Sequence, residues 1–259
     1  SPGQREQTYT VTGKASRITA QVVVWLPEGY NPKASNPYPV IEAMAGYPGS
    51  PRSNFHGFEL KTAFDDLVRQ QHVIRPPVIV MPQINTPTSL DTECVNSPRP
   101  GGLQTETWLS TDVANWTVAH FRVATSRDSW VAMGFSYGAW CATMLSMHHP
   151  QLYAGAISLM GYFRPEFTVD YDPLGQDIGR YNLASLARTA PPPVSLFLMA
   201  SKDDTSAYPQ LGSFLKAVRS PMSATTVVLR SGGHRIDTIP PVLPAMLKWL
   251  GASLSGFRV

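Results

Sequence analysis

A five-residue motif between an apolar run and a run of small residues constrains this chain more than any other feature. Residues 130–133 have the composition of a buried β-strand, and residues 139–148 that of a helix packed on a sheet. Between them, residues 134–138 read Gly-Phe-Ser-Tyr-Gly, a G-x-S-x-G pattern. Such a sharp turn from strand to helix leaves room only for small side chains and pushes the serine out above the sheet. Ser136 is therefore a candidate nucleophile, the alternative being an ordinary turn that contains a serine.

A catalytic serine needs a base, and the chain order of the candidates identifies one. A serine hydroxyl is a poor nucleophile near neutral pH, so it requires a histidine and an orienting acid, in the order serine, acid, histidine. Of the six histidines, only His234 lies well downstream of Ser136. It follows the β-rich run 225–229, and Gly232 and Gly233 give the backbone freedom to return an imidazole over the sheet edge. We predict that His234 is the base.

Two aspartates are candidates for the acid. Asp203 and Asp204 follow a strand predicted at 194–200 and precede a helix predicted at 208–218. Both therefore lie in the turn at the carboxyl end of a strand, where ligands bind in open α/β sheets. One aspartate is expected to orient His234 and the other to cap or solvate the turn. The residues alone leave this choice open.

Strand and helix patterns alternate along the chain. The predicted strands are 21–26, 40–45, 77–81, 130–133, 154–159, 194–200 and 225–229, with an extra edge strand at 8–13; the predicted helices are 58–70, 105–121, 139–148, 208–218 and 242–250. This alternation predicts an α/β fold with a mostly parallel, eight-stranded central sheet covered by helices on both faces. Ser136 then follows the fifth strand. We expect a single catalytic domain over residues 1–259.

Length and charge exclude several classes of function. A chain of 259 residues with 43% hydrophobic content can form one large core, and it contains no internal repeat or low-complexity linker. The net charge is only +3 and the Lys and Arg residues are scattered, so the sequence shows no basic cluster of the kind that binds nucleic acid. No apolar run reaches the roughly 18 residues that span a bilayer, and no intact signal peptide opens the chain. We expect no nucleic-acid partner and no membrane span; the oligomeric state is open.

The chain resembles the putative-esterase family of α/β-hydrolases, which includes esterase D, feruloyl esterases and the mycolyltransferases. The resemblance runs from residues 25–30, Trp-Leu-Pro-Glu-Gly-Tyr, through the G-x-S-x-G motif to Gly-Gly-His at 232–234 and the closing helix. Residues 39–46 are similar to the family strand that usually ends in His-Gly, although Ala45 replaces the histidine. The resemblance implies the α/β-hydrolase fold.

The same resemblance implies roles for particular residues. Aligning the family's Gly-Thr-x-Asp with Ser-Lys-Asp-Asp at 201–204 selects Asp204 as the acid. An oxyanion hole would be formed by the backbone N–H groups of Tyr137, directly after the serine, and Tyr47, each contributing roughly 3 kcal/mol to transition-state stabilisation. For residues 45–49 the alternative is an ordinary Gly/Pro turn.

Other segments have a functional and a structural interpretation. Residues 162–193 stand where these hydrolases insert lids, so Tyr162, Phe163 and Phe167 are candidate substrate contacts or members of the core. Asp91 and Glu93 could contact substrate but form a poor metal motif without a nearby histidine.

The two cysteines, Cys94 and Cys141, allow one disulfide between the loop 83–102 and the nucleophile helix, or two buried thiols. Low charge content and this possible bridge favour an extracellular or cell-envelope location.

These features together predict a serine carboxylic-ester hydrolase that forms an acyl-enzyme on Ser136 and acts on a small-molecule or glycolipid ester, without a metal or other cofactor. The first alternative is transfer of the acyl group to a sugar hydroxyl, as in mycolyltransferases. The second is a non-catalytic binding protein with the α/β-hydrolase fold. The complete set Ser136, Asp204 and His234 argues against the second alternative, because non-catalytic members usually lack one of the three.

Overall fold

The fold is built around one eight-stranded sheet. The computed structural model describes residues 5–44, 65–66, 68–70, 72–87, 90–175 and 178–259. The strands are β1 (Glu6–Thr12), β2 (Thr19–Trp25), β3 (Val40–Met44), β4 (Val78–Pro82), β5 (Trp130–Phe135), β6 (Gly155–Leu159), β7 (Ser195–Ser201) and β8 (Ser223–Leu229). Helix α1 has an α-helical turn (Thr105–Thr107), a π-helical stretch (Trp108–Val113) and an α-helical end (Ala114–His120); α2 (Tyr137–His148), α3 (Leu183–Thr189), α4 (Ala207–Leu215) and α5 (Leu243–Ser253) follow.

The strand order is β1-β2-β4-β3-β5-β6-β7-β8. β1 pairs antiparallel with β2 and β2 with β4, while all other neighbours are parallel. Every residue of β3, β4 and β6 is buried, as expected for parallel strands covered on both faces, whereas β1 and β8 are largely exposed edge strands. This order and direction are those of an α/β-hydrolase, and the predicted fold class is confirmed.

Apolar residues cover both faces of the sheet. Helices α1 and α2 pack on one face in a core that includes Trp108, Trp130 and Trp140, and α5 packs on the other. Nearly every residue of α2 is buried, so this helix lacks the polar stripe of a surface helix. Its burial holds the residue before its first turn, Ser136, in a fixed place above the sheet.

The predicted elements agree with the structure to within two residues at the ends of the strands. The helix predicted at 208–218 ends at Leu215, and the helix predicted at 105–121 contains the π-helical stretch. Helix α3, in the predicted lid segment, was not predicted. Most of the helix predicted at 58–70 falls outside the described residues. In the described part of the chain, no helix combines the length and apolar character needed to cross a membrane.

Candidate functional site

The G-x-S-x-G motif forms a strained turn between β5 and α2. Ser136 has φ 55° and ψ −113°, outside the regions that residues with a side chain usually adopt, and its N–H donates to Leu159 O at 2.9 Å. A Cβ on Gly134 would lie 2.2 Å from the carbonyl carbon of Gly138, so this close approach requires glycine. The turn presents the serine hydroxyl at the carboxyl end of the sheet.

Ser136, His234 and Asp204 are joined by two hydrogen bonds. His234 Nε2 lies 2.8 Å from Ser136 Oγ, and His234 Nδ1 lies 2.6 Å from Asp204 Oδ2. Asp204 is buried, and its Oδ1 accepts from the N–H groups of Ser206 and Ala207 at 3.1 and 3.0 Å. The acid is thus fixed by the first turn of α4 while its second oxygen faces the imidazole. This geometry can move a proton from the serine to the histidine.

Asp203 has a different role from its neighbour. Its carboxylate accepts from the N–H groups of Gly232 and Gly233 at 3.1 and 2.8 Å, and these bonds lower the pKa of Asp203. Both glycines have positive φ values, 125° and 62°. Asp203 therefore holds the loop that carries His234. The expected cap or solvated turn at this position is instead an anchor for the loop of the candidate base, His234.

Tyr137 begins α2 directly after the serine, which places its N–H at the helix N-terminus beside the candidate nucleophile. Its buried hydroxyl donates to Asn85 Oδ1 at 2.9 Å and lies 3.0 Å from Thr92 Oγ1. These contacts fix the residue whose amide is a candidate oxyanion donor. The other candidate donor, Tyr47, lies outside the described residues.

Cys94 and Cys141 are joined in a disulfide, with their Cα atoms 5.7 Å apart. The bridge connects the loop after β4 to the second turn of α2. Beside it, Trp140 Nε1 donates to Glu93 O at 2.8 Å. The loop is therefore fastened to α2 by a covalent bond and by a hydrogen bond from the Trp140 side chain to the loop backbone.

The three candidate substrate contacts are placed differently. Phe167 is partly buried against the core, with its ring centroid 6.2 Å from that of Tyr171. Tyr162 is half-buried, stacks on Trp140 with ring centroids 6.1 Å apart, and donates to Glu93 Oε1 at 2.7 Å. Phe163 is buried and stacks on Phe214 at 4.1 Å. Phe163 thus packs in the core, whereas Tyr162 adjoins the loop that is fastened to α2.

Glu93 is a buried acid close to the candidate nucleophile. Burial, together with a hydrogen bond to Asp91 and the charge of that residue, raises the pKa of Glu93 to about 10. At neutral pH the Glu93 carboxyl is consequently protonated. Within the described residues, no group of three or more histidine, cysteine or acidic side chains is arranged to hold a metal ion.

A second buried polar cluster lies at the other end of α2. Glu106 accepts from His149 Nε2 at 2.6 Å, from His148 Nδ1 at 3.3 Å, from Arg180 Nη2 at 2.8 Å and from the Tyr181 hydroxyl at 2.5 Å. Burial alone would raise the pKa of Glu106, but the histidine hydrogen bonds and charge lower it well below its usual range. The sequence patterns did not indicate this cluster.

Known proteins resemble this chain over most of its length. The family described as putative esterase matches residues 16–241. An uncharacterized protein of Corynebacterium glutamicum is 28% identical over 141 residues, which is 54% of this chain. The matched segment spans 32%, about a third, of that relative's length.

Three solved structures share the fold. A ferulic acid esterase has a TM-score of 0.81 at 19% identity, covering 96% of this chain and 98% of its own. An S-formylglutathione hydrolase from Agrobacterium tumefaciens has a TM-score of 0.76 at 17% identity, covering 96% and 95%. MPT51 (FbpC1) of Mycobacterium tuberculosis has a TM-score of 0.67 at 15% identity, covering 96% and 98%. Since the family match spans most of the sequence and the fold agrees with it, the chain belongs to the putative-esterase family.

Proposed function

We propose that this protein is a serine carboxylic-ester hydrolase that forms an acyl-enzyme on Ser136. The observation that carries the proposal is the pair of hydrogen bonds, 2.8 and 2.6 Å long, that joins Ser136 through His234 to Asp204. A serine on a strained turn, a histidine within reach of its hydroxyl and a buried acid behind that histidine are the parts needed to activate a serine. Membership of an esterase family supports the same reaction.

The reaction proceeds in two acyl-transfer steps. Ser136 Oγ attacks the acyl carbon while its proton passes to His234 Nε2, and Asp204 stabilises the imidazolium. The oxyanion accepts a hydrogen bond from Tyr137 N–H, with Tyr47 N–H as the second proposed donor. His234 then returns the proton to the departing alcohol, leaving the acyl group on Ser136. Water, deprotonated by His234, attacks this ester, and His234 gives that proton to Ser136 Oγ as the acid is released.

Whole-chain organisation and location are part of the proposal. We assign residues 1–259 to one catalytic domain, supported by two apolar clusters on opposite faces of one sheet, and residues 162–193 to a lid. Tyr162 is the proposed substrate contact in this segment. The disulfide between Cys94 and Cys141 favours an extracellular or cell-envelope location, because disulfides persist in oxidising compartments.

The decisive experiment removes the nucleophile. Ser136→Ala is expected to fold normally and to lose p-nitrophenyl ester hydrolysis by several orders of magnitude. A fluorophosphonate probe should label the natural protein at Ser136 and leave the variant unlabelled. Ser213→Ala, which changes an exposed serine on α4, is the matched control and should retain both activity and labelling. Labelling of Ser136→Ala would exclude Ser136 as the nucleophile.

A second candidate function is acyl transfer to a sugar hydroxyl, which the sequence resemblance to mycolyltransferases supports. The first step would be unchanged, and a sugar hydroxyl would replace water in the second. Mass spectrometry of p-nitrophenyl ester reactions with and without trehalose distinguishes the two, because transfer yields an acylated sugar and hydrolysis the free acid. A protein that neither turns over esters nor reacts with the probe would instead be a binding protein.

A further inference from the structure

A short strap (residues 162–166), the first part of the proposed lid segment, begins beside α2. The Tyr162 ring stacks on Trp140, with ring centroids 6.1 Å apart and ring planes at 4° to each other. Trp140 lies in the first turn of α2, where its N–H donates to Ser136 O at 3.1 Å. The strap therefore starts against the residue one helical turn after the candidate nucleophile.

The rest of the strap contacts α4, the helix that follows Asp204. Glu166 Oε1 accepts from Gln210 Nε2 at 2.9 Å, and Phe163 stacks on Phe214 with ring centroids 4.1 Å apart. Both partners lie on α4, whose first N–H group donates to Asp204 Oδ1 at 3.0 Å. The strap thus spans the helix after the candidate nucleophile and the helix after the candidate acid.

A buried carboxyl group holds both ends of the strap. Glu93 is 1% exposed, and its Oε1 accepts from the Tyr162 hydroxyl and from the Glu166 N–H, each at 2.7 Å. These two donors belong to the first and last residues of the strap. Because a part-buried donor without a partner costs free energy, each bond favours this position of the strap.

Glu93 is itself fixed on α2. Its carbonyl oxygen accepts from Trp140 Nε1 at 2.8 Å, and the next residue, Cys94, is bonded to Cys141. Glu93 and Cys94 both have positive φ values, 47° and 59°, which residues with a side chain rarely adopt. The two connections to α2 hold the uncommon turn that carries the Glu93 carboxyl group.

We propose that Glu93 is a positioning residue, which holds the strap and its Tyr162 ring as a fixed wall of the proposed active site. The hydrogen bonds that join Ser136, His234 and Asp204 do not involve the strap, nor do those that hold Asp204 in place. Glu93 therefore acts on substrate binding, through the residue proposed to contact substrate, and not on the activation of the serine. This inference rests on the proposed esterase function.

Two substitutions at position 93 test this role. Glu93→Leu removes the acceptor and keeps a bulky side chain, whereas Glu93→Gln retains a carbonyl oxygen that can accept from Tyr162 and Glu166. With a p-nitrophenyl ester, Glu93→Leu should raise KM about fivefold and change kcat by less than about twofold, because the wall contacts substrate and transition state alike. Glu93→Gln should keep KM within about twofold of the natural value. Asp170→Asn, at an exposed acid further along the lid segment, is the control and should change neither constant.

Hydrogen exchange of the Glu166 amide reports the position of the strap in the absence of substrate. Glu93 accepts from this N–H in the natural protein, so the amide should exchange about tenfold faster in Glu93→Leu and at about the natural rate in Glu93→Gln. Tyr162→Phe removes one of the two donors and keeps the ring that stacks on Trp140. It should raise KM by a smaller factor, with faster exchange at Glu166, and it tests the proposal if Glu93→Leu does not fold.

The outcomes separate this proposal from the esterase proposal. The positioning role is overturned if Glu93→Leu has the natural KM, if its kcat falls while KM is unchanged, or if Glu93→Gln is impaired as strongly as Glu93→Leu. A fluorophosphonate probe should still label Ser136 in Glu93→Leu, since labelling needs only the activated serine. Hydrolysis of p-nitrophenyl esters by Ser136→Ala would instead overturn the proposed function. A raised KM in Glu93→Leu that Glu93→Gln restores, with parallel changes in exchange at Glu166, supports the role.

Discussion

Helix α2 meets a buried glutamate at each end, and the two glutamates are in opposite charge states. Glu93, beside the first turns, and Glu106, beside the last, are each 1% exposed. Glu93 adjoins another acid, and its pKa is raised to about 10. Glu106 faces two histidines and an arginine, and its pKa is lowered. Equal burial therefore leads to a neutral acid at one end of the helix and to a carboxylate at the other.

The difference follows from the number of donors around each carboxyl group. Glu106 receives four donors on its two oxygens, which replace the water that an ionised carboxylate would lose on burial. Glu93 receives two donors on one oxygen and faces Asp91 with the other. We infer that the Glu106 end is built for stability, whereas the Glu93 end holds two acids close together near the candidate nucleophile. Variants at the two ends should accordingly affect different properties.

The largest expected effect lies in the proposed active site, which the first turn of α2 adjoins. Asp204→Asn should lower the rate by about 10⁴ because the imidazole is left in the wrong tautomer, with little change in stability. Asp203→Asn should cost far less, since Asp203 contacts backbone N–H groups and not the imidazole. Steady-state kinetics with a p-nitrophenyl ester measures both. The reverse order of losses would make Asp203 the acid.

The second-largest effect concerns the disulfide near the first turns of α2. Reduction of the bridge between Cys94 and Cys141, 47 residues apart, should lower the free energy of unfolding by up to about 4 kcal/mol in the chain-entropy model. Denaturant titration with and without reductant measures this loss. A Cys94→Ala/Cys141→Ala double variant should be insensitive to reductant. Non-reducing peptide mapping that finds two alkylatable thiols, in protein purified without reductant, would contradict the bridge and the extracellular location.

The third prediction addresses the far end of α2. Glu106→Gln should lower the free energy of unfolding by about 3 kcal/mol, because an amide nitrogen replaces an acceptor oxygen and leaves hydrogen-bond donors of this buried cluster without their partner. Catalytic rates of the folded variant should change little. The natural protein should also lose stability as pH falls below about 4.5, since the lowered pKa of Glu106 makes its ionised form the stabilising one.

This acid loss should be smaller in Glu106→Gln, which has no carboxylate to protonate at that position. Equilibrium unfolding between pH 3 and pH 7 tests the difference. Glu166→Gln, at an exposed acid, is the control and should follow the natural protein. An unchanged stability of Glu106→Gln at neutral pH would show that the cluster contributes nothing beyond its shape.

The contrast between the ends of α2 also marks what the sequence could predict. Strands and the nucleophile turn follow from local patterns, since apolar runs and two glycines around Ser136 restrict the backbone directly. His234 followed from chain order, but choosing Asp204 over Asp203 needed the family resemblance. The Glu106 cluster joins residues more than 40 positions apart, and no local sequence pattern predicts a contact between residues so far apart in the chain. The charge state of Glu93 depends on tertiary burial for the same reason.

Helix α3 was missed because its seven residues, Leu183–Thr189, are too few to establish a helical period. The role of Asp203 was missed because it contacts the backbone of residues 29 and 30 positions further along the chain. Composition alone predicts a solvent-exposed carboxylate at position 203. In each case the deciding contact forms only once the sheet has brought distant loops together.

The smallest effect is expected when the other buried glutamate, Glu93, is replaced by glutamine. Gln resembles a protonated Glu, because its carbonyl oxygen can still accept from Tyr162 and Glu166 while its amide donates to Asp91. Glu93→Gln should therefore unfold with about the same free energy as the natural protein near pH 5. The raised pKa of Glu93 means that the natural protein loses stability as pH rises from about 4.5 toward about 10, by at most about 1.4 kcal/mol per pH unit.

Coupling to Asp91 reduces this slope, so we expect Glu93→Gln to gain about 1 kcal/mol over the natural protein between pH 7 and pH 8. Urea unfolding across pH 5–9 measures the gain, with Asp170→Asn, at an exposed acid, as the control. A variant destabilised equally at every pH would indicate an ionised Glu93 that, like Glu106, depends on its donors. The two ends of α2 would then share one arrangement, a buried carboxylate held by hydrogen-bond donors.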